Sequence, residues 1–276
     1  MRPVSTPPWD PLFAARSPLF EPLRRIASDL PGSAWPSREE LTTLARNCDR
    51  PVVNDNGRAI EFCAPASRHR SVGVYEQRIA AEGAVEHRDA SWHDLFNALV
   101  WMTFPCAKAA LNRRHVTELP REIEGQRSCV RDALTQLDED GLVVVSERAD
   151  LLSLLRGFRW RELFWNRRSD VLSAMRWFVL GHAQYEKALQ PFVGMTAKAL
   201  TICVEPGFGT MPYAHQLEHV DRLSAHLVSQ PEALHAPSSL APVPVLGIPG
   251  WSEQSAHESF YEDHSYFRTG RQCTTA

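Results

Sequence analysis

Residues suited to acid–base chemistry are concentrated in one stretch, residues 91–115, with the sequence SWHDLFNALVWMTFPCAKAALNRRH. His93 and Asn97 are four residues apart, so they share one face of a helix, and Asp94 lies beside them at the helix start. A histidine titrates near neutral pH, and a neighbouring carboxylate can orient its ring. This pattern predicts His93 as a general base, Asp94 as its orienting partner and Asn97 as a substrate-binding residue.

The second half of this stretch carries another polar stripe. Lys108, Asn112 and His115 follow Pro105 at the helical spacing i, i+4 and i+7, and proline is tolerated at the first position of a helix. If the bend at Pro105 folds the two helices together, their polar faces converge on one site. His115 is then a second candidate base, and Lys108 and Asn112 are predicted to bind substrate or to steady a developing oxyanion. The same groups also suit a small anionic ligand.

A structural interpretation competes with the catalytic one. His93 and Asp94 lie where side chains cap or balance a helix N-terminus, and Asn112 and His115 lie where side chains close a helix. On that interpretation Lys108 is a solvated side chain. The leading hypothesis is a hydrolase-like enzyme that uses this polar cluster, and a non-catalytic structural protein is one alternative.

A further histidine lies in the segment GHAQYEK. His182 follows Gly181, which allows another helix to approach closely, and Glu186 comes one turn later. A buried, hydrogen-bonded core histidine is the ordinary interpretation of this position. The functional alternative predicts that His182 joins His93 and contributes to substrate binding.

The segment HQLEH, residues 215–219, has the histidine spacing of an inverted zinc-peptidase helix, in which the adjacent glutamate acts as the base. No downstream glutamate ligand accompanies it, and Leu217, Val220 and Leu223 give the same helix a core face. HQLEH is therefore a weak zinc candidate. The sequence assigns no metal site and no cofactor.

Arginines alternate with aromatic residues over residues 156–177, RGFRWRELFWNRRSDVLSAMRW. Such a pattern can stack on bases and hold phosphates, which makes a nucleic-acid or nucleotide-binding module the alternative function. The competing interpretation places the aromatic rings in the core and pairs the arginines with acidic segments. It is favoured because the chain as a whole is slightly acidic, so the nucleic-acid alternative stays open but secondary.

Composition gives no general attraction for nucleic acid or anionic membranes. The 276 residues hold 30 Lys and Arg against 33 Asp and Glu, a net charge of −3.

The longest apolar runs, LFNALVWMTF and VLSAMRWFVLGHA, fall short of the ~20 residues that span a bilayer. Six scattered cysteines without a C-x-x-C pair, and a start without a signal-length apolar run, predict a cytoplasmic protein with reduced thiols.

The order of elements predicts a mainly helical α+β protein with a small β-sheet. Ser37 with Glu40, and Ser91 with Asp94, form capping boxes that start helices, and LVVVS at 142–146 is the clearest buried strand. Further helices are predicted over residues 105–115, 121–137, 150–155, 159–165, 170–189 and 211–229, a hairpin over 52–62 and a strand over 199–204.

Proline-rich composition marks both ends of the chain. It predicts an extended N-terminal arm at residues 1–36, a mainly helical core at 37–230 and an extended C-terminal segment at 231–276 that packs on the core.

Several motifs together resemble a known family. They are WHDLFNALVW followed by FP, KAALNRRH, DEDG with the valine strand, FRWRELFW, GHAQYEKAL, and PVLGIPGW with FYED and YFR. In this order, over roughly residues 70 to 270, they resemble the bacterial domain-of-unknown-function family 3025. The resemblance implies a single co-folded unit that includes the C-terminal segment, and it implies no particular chemistry.

Overall fold

The computed structural model describes residues 7–65, 72–121 and 128–270 of the chain. As predicted, they form a mainly helical α+β structure with a small sheet. Their α-helices are α1 (Arg24–Ala27), α2 (Arg38–Arg46), α3 (Val72–Glu82), α4 (Trp92–Thr103), α5 (Pro105–Glu118), α6 (Cys129–Asp140), α7 (Ala149–Arg156), α8 (Arg168–Ala174), α9 (His182–Ala188) and α10 (Tyr213–Ser229). Their strands are β1 (Glu61–Cys63), β2 (Ala84–Glu86), β3 (Gly141–Ser146), β4 (Met175–Val179), β5 (Thr196–Cys203) and β6 (Ala241–Pro244).

Helix α4 lies in the core. Every residue of α4 except His93 is buried, because apolar side chains occupy almost the whole circumference of this helix. Ser91 Oγ caps it by accepting a hydrogen bond from the Asp94 backbone N–H at 3.3 Å. The predicted capping box is only half formed, since the Asp94 carboxylate binds Arg88. Pro105 then starts α5, as predicted.

The larger sheet has four strands in the order β4, β3, β5, β6. Strand β3 is buried along its whole length, as its valines predicted, and it pairs parallel with β5 and antiparallel with β4. Strand β6 forms one edge of the sheet and pairs antiparallel with β5.

The prediction of one helix over residues 170–189 is wrong. The chain forms α8, then β4, then α9, because the β-sheet register pairs Trp177 with Val144 and Phe178 with Val143. Bulky apolar residues at 175–179 serve a buried strand as well as a helix face, so periodicity alone did not separate the two. The consequence is that His182 begins a new helix directly after the sheet.

Two glycines decide where α9 begins. Gly141 and Gly181 approach so closely that a Cβ built on Gly181 would lie 2.2 Å from Gly141 N. The Gly181 N–H also donates to Gly141 O at 2.9 Å. Because Gly141 directly follows α6, this contact sets the start of α9 against the end of α6.

The hairpin predicted over residues 52–62 is present only in part. Val53 and Ala59 form an isolated antiparallel bridge, whereas Glu61–Cys63 pairs parallel with β2. The reason is the Asn54 side chain, which donates to the carbonyls of Ile79 and Ala80 near the end of α3. This contact docks the turn on α3, and β2 follows α3 directly.

Both proline-rich ends place side chains in the core. Phe13 and Phe20, in short 3-10 helices, pack edge to face and are fully buried. At the other end the Tyr266 hydroxyl donates to Met195 O at 2.8 Å. The division into two arms and a core at residues 36/37 and 230/231 stays a prediction.

Helix 121–137 is predicted in part correctly, since α6 covers Cys129–Asp140. The part of that prediction at residues 122–127 lies outside the described residues.

Within the described ranges, no helix is both long and apolar enough to cross a membrane. The five cysteines of these ranges are free thiols.

Candidate functional site

Helices α4, α6 and α9 bring a histidine pair together at one edge of the core. His93 Nε2 lies 3.1 Å from His182 Nε2, and the two rings are nearly perpendicular with centroids 4.5 Å apart. On its other side, His93 Nδ1 donates to Glu186 Oε2 at 3.1 Å. His182 is 4% exposed, whereas the His93 side chain is 32% exposed and faces the surface. The histidine pair therefore extends from the protein interior to the surface.

Two carboxylates from the end of α6 complete this cluster. Glu139 Oε2 lies 3.3 Å from His182 Nε2, and Asp138 Oδ2 lies 3.9 Å from His182 Nδ1. The close approach of Gly141 and Gly181 explains this placement, because it holds the end of α6 against the start of α9. We call His93, His182, Glu139 and Glu186 the histidine centre.

Electrostatics differ sharply between the two rings. The hydrogen bond to Glu186 raises the pKa of His93, and the same contact lowers the pKa of Glu186. Burial lowers the pKa of His182 to about 3, so this ring is neutral at pH 7. Burial, reinforced by the neighbouring Asp138, raises the pKa of Glu139.

A buried lysine supports the cluster from behind. Lys108 Nζ donates to Asp138 Oδ1 at 2.5 Å and to Asn97 Oδ1 at 2.9 Å. Burial acts against ionisation of Asp138, but the positive charge of Lys108 and the hydrogen bond from its ammonium group lower the pKa of this carboxyl. Asn97 also donates to the Tyr75 hydroxyl at 3.3 Å. The Asp138 carboxylate thus faces Lys108 with one oxygen and His182 with the other.

A second polar group lies on the other side of this ion pair. Glu76, Asn112 and His115, together with Lys108 and Asp138, line a small cavity of about 10 Å³. Asn112 Nδ2 donates to Glu76 Oε2 at 2.7 Å. Burial raises the pKa of Glu76 to about 7. The cavity has room for about one water molecule, not for a substrate.

Asp94 has a different partner from the one predicted for it. Its carboxylate receives three hydrogen bonds from Arg88, one from the backbone and two from the guanidinium, each at 2.7 Å. Burial opposes its ionisation, yet these bonds lower the pKa of Asp94. Glu186, and not Asp94, is the carboxylate that holds the His93 ring.

The structure therefore sorts the predicted site residues into groups. His93 and His182 are in direct contact, as the functional interpretation of His182 predicts. Asn97 and Lys108 are buried behind them. The remaining predicted residues lie around the cavity (Asn112 and His115) or beside Arg88 (Asp94).

A family comparison covers most of the chain. The model of a protein family of unknown function, DUF3025, matches residues 60–271. The chain belongs to this family. No curated protein matches the chain, and no solved structure does. The histidine centre and the small cavity both lie inside the DUF3025 segment.

The sequence analysis gave no functional role to three carboxylates that this DUF3025 chain places near the histidines. Glu186 follows His182 by four residues, so helical spacing alone offered a signal for it. Asp138 and Glu139 offered none, because DEDG reads as an ordinary helix end. Only the contact of α6 with α9 brings Glu139 to His182.

Potential metal ligands converge at the same place. His93, Glu139 and His182 each offer one ligand atom, and these atoms lie within 4.8 Å of one another. Over residues 7–65, 72–121 and 128–270 this is the one such group of three. In HQLEH, by contrast, His215 and His219 are exposed and Glu218 pairs with Arg222.

The arginines and aromatic rings of residues 156–177 are engaged within the DUF3025 fold. Trp160 and Phe164 are buried in the core. The six arginines each contact another group of the chain: Arg156 contacts Thr201, Arg159 contacts Glu162, Arg161 contacts Glu258, Arg167 contacts Asp150 and Asp170, Arg168 contacts Ser255 O, and Arg176 contacts several backbone carbonyls. These contacts lend no support to a nucleic-acid-binding surface.

Proposed function

We propose that this DUF3025 protein is a hydrolase-like enzyme that activates water at the histidine centre. The observation that carries the proposal is the contact of His93 with both His182 and Glu186, at 3.1 Å in each case. A histidine held on one nitrogen by a carboxylate has a defined tautomer and orientation, which is what water activation requires.

Glu186 takes the orienting role in this proposal. Its carboxylate accepts a hydrogen bond from His93 Nδ1–H, which leaves the Nε2 lone pair directed into the centre. The same logic places carboxylates behind catalytic and metal-bound imidazoles in general. Asp94, engaged by Arg88, serves the start of α4 instead.

Substrate reaches the centre from the surface. The side chains of His93 and Glu139 are 32% and 37% exposed, whereas His182 lies beneath them. Lys108 and Asn97 act from below as positioning residues, since both are buried and their contacts lead to Asp138 and Tyr75. Asn112 and His115 take no direct part in this chemistry.

The test is a hydrolysis assay on the full chain. A panel of aryl esters, phosphate mono- and diesters and short peptides is offered to the wild type and to His93→Ala and His182→Asn. Loss of a positioned acid–base group typically costs 10²–10⁴-fold in rate. We expect a loss of at least 100-fold in both variants and no change in His215→Ala, whose exposed imidazole lies on α10.

Circular dichroism must show that each variant is folded. The proposal is overturned if folded wild type hydrolyses nothing in the panel, or if His93→Ala retains the wild-type rate.

We also propose that the protein acts in the cytoplasm, a proposal supported by the five free thiols of the described ranges. Fractionation of cells that express the tagged full chain tests it. Recovery of the protein in the periplasmic or membrane fraction would contradict it.

A further inference from the structure

We infer that His93, His182 and Glu139 bind one divalent metal ion of the zinc class. The ligands are Nε2 of each histidine and a carboxylate oxygen of Glu139. For its role in catalysis this inference rests on the proposed function, because the ion would supply the water-activating group. The binding of the ion itself is inferred from the contacts among these three residues and does not depend on the proposed function.

One tautomer of each ring places the two Nε2 lone pairs opposite each other. Glu186 accepts a hydrogen bond from His93 Nδ1–H, so Nε2 of His93 carries a lone pair. His182 Nδ1 lies 3.9 Å from Asp138 Oδ2, beyond hydrogen-bonding distance but close enough for the negative charge to favour a proton on Nδ1. In that tautomer of His182 the two lone pairs face one another across 3.1 Å.

A carboxylate oxygen joins the two nitrogens. Glu139 Oε2 lies 3.3 Å from His182 Nε2, so three electron-rich atoms surround one point. A metal ion between these three atoms would satisfy all of them at once. The competing arrangement is a neutral His182 that carries its proton on Nε2 and donates it to His93 Nε2 beside Glu139, and this tautomer binds no metal.

Two of the three separations between the ligand atoms match those around a tetrahedral ion, and all three atoms lie within 4.8 Å of one another. Ligand atoms ~2.0–2.2 Å from a tetrahedral zinc ion are separated by about 3.3 Å. The two separations given by the structure, 3.1 Å between the nitrogens and 3.3 Å from nitrogen to oxygen, agree with that value. The histidines therefore need little movement to bind an ion.

The composition of the ligand set points to a catalytic site rather than a structural one. Two histidines and one glutamate leave the fourth tetrahedral position for water, and such a set is typical of zinc hydrolases. The exposed sides of His93 and Glu139 leave this position accessible. A zinc ion held there would lower the pKa of a bound water to about 7 and would so supply the nucleophile of the proposed hydrolysis.

Outer groups support the ligands in the way metal sites require. Glu186 holds the far nitrogen of His93, and Asp138 faces the far nitrogen of His182. Lys108 in turn fixes Asp138. Changes to such outer groups usually lower metal affinity by 10–100-fold.

The experiment measures zinc directly. The purified full chain is stripped with a chelator, dialysed and titrated with Zn²⁺ in competition with a chromophoric chelator, and metal content is measured by mass spectrometry. We expect one Zn²⁺ per chain. His93→Ala, His182→Asn and Glu139→Gln should each lower the affinity by at least 100-fold.

Asp140→Asn is the matched control, because this neighbouring carboxylate pairs with Lys187 and Gln184 instead. Its affinity for Zn²⁺ should equal that of the wild type. Substitution with Co²⁺ adds a spectroscopic test, since tetrahedral coordination by nitrogen and oxygen gives visible absorption bands that Glu139→Gln should alter.

Folded wild type that binds no Zn²⁺ at micromolar concentration would overturn the inference, and so would equal affinity in Glu139→Gln, Asp140→Asn and the wild type. The two proposals fail separately. Stoichiometric metal without hydrolysis removes the proposed function and leaves the site. Hydrolysis that survives complete removal of metal leaves the proposed function and removes the zinc site.

Discussion

Lys108 and Asp138 form a partly buried ion pair, with Nζ and Oδ1 2.5 Å apart, and this pair joins the small cavity to the histidine centre. Lys108 is 4% exposed and lies 5.4 Å from the centre of the Trp101 ring. The second oxygen of Asp138 faces His182. Lys108, which the sequence predicts as a substrate-binding residue or, on the structural interpretation, as a solvated side chain, therefore lies in the interior beside Asp138.

Replacing Lys108 with methionine should lower the free energy of unfolding by about 3 kcal/mol, because it leaves the carboxylate of Asp138, which is only 22% exposed, without its partner. Chemical denaturation monitored by circular dichroism measures the change. The control is Lys187→Met, which breaks the more exposed pair with Asp140 and should cost no more than about 1 kcal/mol. Equal losses in the two variants would contradict a special role for the buried pair.

Stability should fall as pH rises through the range in which Glu76 ionises. Burial raises the folded-state pKa of Glu76 to about 7, above its ordinary value, so the folded protein holds this proton more tightly than the unfolded chain does. The resulting stabilisation is complete below about pH 4.5 and is lost as pH approaches and passes 7. Its full size is about 3 kcal/mol.

Glu76→Gln should flatten this part of the stability profile, measured by denaturant titration at intervals from pH 5 to pH 8. Asn112, Lys108, Asp138 and Arg131 also act on this carboxyl, so each must be left intact. The exposed Glu39→Gln is the control and should leave the slope as in the wild type. A Glu76→Gln profile as steep as that of the wild type would argue against the raised pKa.

Adding a methyl group at Gly181 should disturb the histidine centre. The new Cβ would lie 2.2 Å from Gly141 N, so the start of α9 must move away from the end of α6. We expect Gly181→Ala to cost about 1–3 kcal/mol or more in stability and to weaken zinc binding. Gly32→Ala meets nothing within 4 Å and should be neutral or slightly stabilising. Identical unfolding midpoints in the two variants would show that the close approach is dispensable.

The engaged arginines of residues 156–177 predict that the protein does not retain short nucleic acids. Arg161, for example, pairs with Glu258, and Trp160 donates to Arg268 O at 2.8 Å. Electrophoretic mobility of labelled single- and double-stranded oligonucleotides should be unchanged across a protein titration at low salt. A salt-sensitive shift that Arg161→Ala weakens would restore the binding-module alternative.

Local signals in the sequence determined much of the secondary structure. Ser37 with Glu40 forms the capping box that starts α2, Pro105 separates α4 from α5, and the valines at 143–145 form the buried strand β3. These features depend on neighbours a few residues away, which is why spacing alone predicted them. The family resemblance likewise depended on short motifs in a fixed order.

The sequence also singled out His93 and His182, since polar residues on otherwise apolar helices are conspicuous. It misassigned their surroundings. Asp94 is the nearest carboxylate in sequence, but Arg88 engages it, and Glu186 from another helix holds His93. Helical spacing shows which side chains share a face and not which distant helix packs against that face.

Only the tertiary structure decided what the histidine centre is made of. Residues 175–179 form a strand because β3 lies beside them, and their turn into α9 depends on the contact between Gly141 and Gly181. That contact brings Glu139 to His182 across 43 residues of chain, counted from 139 to 182. Such pairings are set by long-range packing, which no local pattern of side chains encodes.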